Sequence, residues 1–131
     1  MALTGTLLCH IVALMNERFF DNWSTQLRKG MLEFCILNAI RGTSLYGYDI
    51  ARTLRGIEGL VISEGTIYPI LSRLKREGLV GTTLRESSEG PARKYYELTA
   101  SGKEVLKQLF SSWKDLSKSL NILVKKSNHE K

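Results

Sequence analysis

The chain has 131 residues, room for one domain, which excludes enzyme architectures built on a large sheet such as an eightfold barrel. Its 43% hydrophobic and 24% charged residues are those of an ordinary globular protein, neither disordered nor fibrous. Lys and Arg outnumber Asp and Glu by 19 to 13, giving a net charge of +6 and a pI near 9.5, a balance that suits a polyanionic partner.

The opening apolar run, Leu7 to Leu14, has no Lys or Arg before it and no small-residue cleavage site after it, so it does not read as a signal peptide. It is far shorter than the roughly 20 residues that cross a bilayer, and no membrane partner is expected. Two readings stay open: Met15 is the functional start, or residues 1–14 belong to an accessory helix or a weakly ordered segment. Cys9 and Cys35 both sit in apolar runs, the pattern of buried thiols in a cytoplasmic protein rather than of a disulfide framework. With His10 and His129 distant from each other, no metal-ligand spacing exists, and neither metal nor cofactor is expected.

From residue 27 the sequence LRKGMLEFCILNAI is almost entirely apolar after Lys29. A helix apolar on all sides must be covered on all sides, which points to its own domain and a second subunit, with Met31 and Phe34 toward the partner. Gly42 ends it, and Ser44 is expected to cap the next helix, which covers about residues 45–54. A third helix starts at Ser63, carries Ile67, Ile70, Leu71 and Leu74 at i, i+3, i+4, i+7, and stops at Gly78. Its other face holds Gly65, Thr66, Pro69, Ser72, Arg73 and Arg76. Pro69 removes a backbone bond to Gly65 and is expected to bend the first turns.

Residues 79–86 and 94–98 read as strands of a hairpin whose flexible tip, SSEGPAR, would carry Arg93 and Lys94. Thr99 is expected to cap a last helix of roughly 25 residues, about 37 Å long. Leu106, Leu109, Trp113, Leu116, Leu120 and Leu123 recur there at spacings of 3 and 4, a heptad seam for a partner helix.

Three helices followed by a basic hairpin is the winged helix-turn-helix plan, mainly α with a small β-hairpin, followed by a long dimerisation helix. The expected divisions are residues 1–26 (extension), 27–98 (winged helix) and 99–131 (dimerisation helix and tail). A major groove admits the third helix, where Arg73 and Arg76 reach guanine edges or phosphates and Ser63, Thr66 and Ser72 allow close approach. Arg93 and Lys94 would straddle phosphates of the neighbouring groove. The alternative is a dimeric winged-helix adaptor that binds protein and not DNA. No nucleophile–base pair, phosphate-cradling loop or paired carboxylates in an apolar pocket speaks for an enzyme.

The segments LYGYDIARTL, SEGTIYPILSRLKREGLV and SEGPARKYYELTASG, with the apolar helix before them, resemble the PadR family of bacterial transcriptional regulators over roughly residues 27–125. The resemblance implies a homodimeric winged-helix repressor whose last helix packs on the partner's first helix and N-terminal region. It implies that Tyr46 and Tyr48 approach the phosphate backbone and that Thr66, Tyr68, Ser72 and Arg73 enter the major groove; Tyr68 packing over a helix start stays open. With a short tail after Trp113, the chain looks like the subfamily in which a Trp from each copy stacks on a flat aromatic or cationic effector, and Trp113 matches that position. Filling a seam position is the other reading of Trp113. The long N-terminal extension, with Phe19, Phe20 and Trp23, and Glu97 in place of a basic wing residue depart from the family pattern.

Overall fold

A computed structural model describes residues 2–60 and 62–129, with side chains described for residues 5–60 and 62–127. The chain divides into two compact units, one ending at Leu32 and one beginning at Glu33, and helix α1 (Ala2–Ala39) belongs to both. The extension and the apolar helix are therefore stretches of one 38-residue helix. No Gly or Pro signal strong enough to stop it lies between them: Gly5 and Gly30 are its only glycines.

In the first unit the helix leaves Leu8, Val12, Met15, Phe19, Trp23 and Leu27 exposed. They follow one another at spacings of 3 and 4 along one side. Phe20 and Trp23 lie against each other at 6.4 Å between ring centroids. Thr25 donates to the Asp21 carbonyl at 2.8 Å and accepts from Arg28 at 3.3 Å on the polar side.

The second unit is the winged helix with its long last helix. After the end of α1 come β1 (Leu45–Tyr46), α2 (Gly47–Arg55), α3 (Glu64–Arg76), β2 (Val80–Ser87), β3 (Gly90–Leu98) and α4 (Ala100–His129). The strands form one antiparallel sheet in the order β1-β3-β2. Ile36, Leu37 and Ile40 of α1, Ile50 and Leu54 of α2, and Ile67, Leu71 and Leu74 of α3 make a fully buried core. Val80, Tyr96 and Leu106 close it. Leu106 is thus taken up by its own chain, so the heptad seam open to a partner begins at Leu109.

Three expectations at helix and hairpin ends are corrected. Ser44 caps nothing: residues 45–46 are a strand, and the N-cap of α2 is Tyr46, which makes no side-chain cap bond. Ser63 is the N-cap of α3, but its hydroxyl pairs with that of Thr66 at 3.1 Å and makes no cap bond. The hairpin turns tightly after Ser87, which pairs with Gly90, so Arg93 and Lys94 lie within β3 opposite Arg85 and Leu84 and not at the tip. The helix α3 runs through Pro69 without interruption. Gly65 precedes Pro69 by four residues, and a Cβ at Gly65 would meet nothing nearer than 3.8 Å.

Thr99 does what the sequence expects and more. Its hydroxyl accepts from the Gly102 N–H at 3.0 Å, capping α4, and donates to the Gly78 carbonyl at 2.6 Å. Its own N–H donates to the Leu79 carbonyl at 3.1 Å. A Cβ on Gly102 would collide with that same carbonyl oxygen. Gly78 has φ +77°, which explains the stop after α3.

Burial pushes the Cys35 thiol up from its ordinary value. Burial, and then the neighbouring Tyr68, raises the Tyr96 hydroxyl. Both groups favour their neutral forms in the folded chain, so their contribution to stability is complete at neutral pH and declines as alkaline pH ionises them. A chemical-denaturation series should show stability falling between pH 8 and pH 10.5, and Cys35→Ala should make that decline shallower; an unchanged slope contradicts this.

Gly102→Ala should cost roughly 2–4 kcal/mol, since the obstacle is backbone and not a flexible side chain. Thermal unfolding should register this as a fall of roughly 6–20 °C for a chain of this size. A variant as stable as the parent would overturn the packing assigned to this glycine.

Candidate nucleic-acid interface

The residues expected at the interface fall into three groups. The first lies between α3 and the wing. Pro69, Ser72, Lys75 and Arg76 of α3 and Lys94 of β3 line an open concavity of about 620 Å³. Positions 69, 72 and 76 recur at i, i+3, i+7 on the side of α3 opposite Ile67, Leu71 and Leu74, so the burial of one stripe dictates the exposure of the other. Among the described residues, none of the cations Lys75, Arg76 and Lys94 pairs with a carboxylate. A lining of small side chains and unneutralised cations suits a phosphate-lined surface. Lys75 belongs to this group although the pattern of α3 had placed Gly65, Thr66, Pro69, Ser72, Arg73 and Arg76 there without it; its position three residues after Ser72 was the available signal.

The second group is engaged within the protein. Arg73 pairs with Glu33 of α1. Ser63 and Thr66 hydrogen-bond each other, and Arg55 bridges to Glu64 at 3.2 Å beside them. Tyr68 lies over the start of α2: a Cβ at Gly47 would fall within 2.8 Å of its ring. Gly47 is buried there, and its lack of a side chain is what admits the ring.

The third group lies on the outer face of the sheet. Strand alternation puts Arg93 and Tyr95 of β3, Arg85 of β2 and Tyr46 of β1 on that face, opposite the side of Lys94 and the buried Tyr96. Tyr46 stacks on Tyr48 at 6.0 Å and packs against Tyr95 at 5.7 Å. Arg93 lies over the Tyr46 ring at 4.7 Å and Arg85 over the Tyr95 ring at 4.3 Å. The two-residue strand β1 was invisible in the sequence, and with it the reason for this clustering.

The presumed effector and dimer residues lie elsewhere. Trp113 is 41% exposed and sits 6.4 Å from Phe34 of its own chain, ring tilted on ring. Phe110, Leu116, Leu120 and Leu123 continue an exposed apolar surface along α4, whereas Leu109, Phe34 and Met31 are partly covered. Among the described residues no group of His, Cys, Asp and Glu could hold a metal ion, and no helix is long and apolar enough to cross a membrane.

Three helices, a two-stranded wing backed by a short third strand, and a long terminal helix define a winged helix-turn-helix protein. Residues 36–108 match the model of the PadR-like family of transcriptional regulators. The chain belongs to this family, whose members regulate transcription and are not enzymes. It is similar to a PadR-like transcriptional regulator of Bacillus cereus (42% identity, 76% of this chain and 96% of that one, TM-score 0.70). It is also similar to a PadR family regulator of Eggerthella lenta (27% identity, 85% and 96%, TM-score 0.73). A third likeness is to Bacillus subtilis PadR in complex with operator DNA (32% identity, 60% and 46%, TM-score 0.55).

The Glu33–Arg73 pair is more than 40% exposed on both sides, so water screens it strongly. Glu33→Gln should therefore change unfolding stability by no more than about 1 kcal/mol in a urea titration. A loss of twice that would assign the pair a larger structural part.

Proposed function

We propose that the chain is a homodimeric repressor that binds a two-fold operator through α3 and the wing. The observation that carries this reading is the concavity between α3 and β3, edged by Lys75, Arg76 and Lys94 with no carboxylate to neutralise them. A polyanion supplies the missing countercharge, and releases its own counterions on binding. In this reading Ser72 and Arg76 face the major groove and Lys94 holds a phosphate. Tyr46 and Tyr48 approach the backbone near the start of α2. Arg73 reaches DNA only by exchanging Glu33 for it. The operator-bound Bacillus subtilis relative supports duplex DNA as the partner over the adaptor alternative.

Dimerisation is supported by the apolar surface left on α4, where Trp113, Leu116, Leu120 and Leu123 lie exposed over a helix of 30 residues. A second copy is the simplest cover for it, and the exposed stripe of the first unit offers a matching apolar surface.

Fluorescence anisotropy with the chain's own promoter fragment and a random duplex of equal length tests the DNA reading. At 0.15 M salt the promoter should bind at least about a thousandfold more tightly, the lower end of the usual range of specific over non-specific affinity. Arg76→Ala should cost roughly 1–3 kcal/mol and relax that preference, while Lys94→Ala should weaken both duplexes alike. Equal affinity of the parent protein for both duplexes would refute the reading. Leu116→Glu with Leu120→Glu should yield a monomer in sedimentation and abolish promoter binding.

A second reading concerns relief by a planar aromatic effector. The exposed indole of Trp113 beside Phe34 offers a stacking surface, doubled in a dimer. In a Trp23→Phe variant, Trp113 is the sole indole, and its emission should quench with a planar ligand that also releases the promoter.

A further inference from the structure

We propose that a cavity beside the first turns of α4 binds an aliphatic monocarboxylate, an acyl chain with one anionic end. The site lies apart from the concavity between α3 and the wing and from the Trp113 surface, and it stands on observations that neither uses.

The end of β3, the start of α4 and Arg41, two residues after α1, enclose a cavity of about 390 Å³. That volume falls in the range of small-molecule sites. Leu98, Ala100, Leu106 and Phe110 line it, so its wall is mostly hydrocarbon. Its charged lining residues are Arg41, Lys103, Lys107 and Glu104. Glu104 is taken up by Lys107 at 3.5 Å. Arg41 and Lys103 pair with no carboxylate among the described residues. An apolar cavity with two uncommitted cations is the complement of an amphiphilic anion. The chain lies on hydrocarbon, and the carboxylate accepts charge-assisted hydrogen bonds from the cations.

The composition of the wall selects a chain over a flat ring. Phe110 is the one aromatic residue among those that line the cavity. The remaining apolar surface comes from aliphatic side chains and from the methylene stems of Lys and Arg. Aromatic ligands are held best between aromatic faces, and those lie at Phe34 and Trp113. A second concavity of about 370 Å³ adjoins the first, sharing Leu98 and Lys103, and gives an extended ligand room. Glu97 lines this second space and forms no ion pair with Lys103.

A second copy packed on the α4 seam leaves the cavity open. Lys103, Lys107 and Phe110 recur at i, i+4, i+7, turned about 120° round the helix from Leu109, Trp113 and Leu116. Phe110 is 51% exposed, so a chain laid against it removes apolar surface from water. Leu98 and Ala100 flank Thr99, and a bound chain therefore touches the last residue of β3 and the first of α4.

Calorimetric titration of the unaltered protein is the first measurement. Octanoate should bind with a Kd below about 1 mM. From hexanoate to decanoate each added methylene should tighten binding about fourfold. The second measurement is amine acetylation followed by peptide mass spectrometry. Octanoate should protect Lys103 severalfold and leave Lys118 and Lys125 of the same helix unprotected. At equal concentration 1-octanol, which lacks the charge, and 2-naphthoate, which lacks the chain, should leave Lys103 reactive. The Arg41→Gln, Lys103→Gln double variant should bind octanoate at least about tenfold more weakly. It should keep its melting temperature, because both side chains are exposed. Ala100→Phe fills the cavity without altering either charge and should abolish binding.

An octanoate affinity unchanged in the double variant or in Ala100→Phe overturns the proposal. So does a chain-length series without a slope, or equal protection of Lys118, either of which would reduce the contact to a surface ion pair. Protection of Lys103 by 2-naphthoate at lower concentration than by octanoate would give the cavity to a flat ring and overturn the acyl chain as its occupant. Octanoate that neither releases heat nor protects Lys103 overturns the site outright, whether or not the protein binds its promoter.

Discussion

The junction of Gly78, Leu79, Thr99 and Gly102 fixes the relation of the functional elements. Four elements meet there: α3 ends, β2 begins, β3 ends and α4 begins. The Thr99 hydroxyl serves both sides at once, accepting from Gly102 and donating to Gly78, while its N–H holds the Leu79 carbonyl. Gly102 lets the first turn of α4 rest against that carbonyl, an approach no side chain would permit. The helix that presents Ser72 and Arg76 and the helix that carries the apolar seam are therefore set against each other by backbone contacts. Such contacts have little slack, because Gly102 already rests directly against the Leu79 carbonyl.

Charge follows from this arrangement. The core takes one stripe of α3 and one face of the sheet, and what remains outside includes Ser72, Lys75 and Arg76 of α3 and Arg85 and Arg93 of the wing. Alternation along β3 then deals its basic residues to opposite faces, Lys94 to one and Arg93 to the other. Three carboxylates are taken up by other cations: Glu33 by Arg73, Glu64 by Arg55 and Asp49 by Arg52. The net charge of +6 is thus less informative than the choice of which cations are left without a partner.

Much of the fold was legible because local signals agreed. Ile67, Leu71 and Leu74 mark the buried stripe of α3, Gly78 its end, and Thr99 the start of α4, each for a reason confined to a few neighbouring residues. What escaped depended on distant partners. Leu45 and Tyr46 are a strand only because β3 lies beside them, and two residues carry no periodicity to read. Arg73 looked free because Glu33 is forty positions away. Leu106 fits the heptad as well as Leu109 does, and only its burial within its own chain separates them. Ser44 and Ser63 are good capping residues by type, yet the hydroxyl of each finds another partner, Arg85 and Thr66. The wing tip was misjudged because GPARK reads as loop, whereas pairing begins at Gly90 itself.

Glu33 and Phe34 are consecutive residues of α1 with different neighbours: the first holds Arg73 of α3, the second faces Trp113 of α4. Successive positions on a helix point about 100° apart, so both contacts share one short length of cylinder. A helix turns as a rigid rod over so short a distance. Any roll of α1 that changes the lie of Phe34 against the indole swings Glu33 through the same angle relative to Arg73 of α3. One short length of α1 thus touches both α3 and α4, through a solvent-screened ion pair on one side and a ring contact on the other.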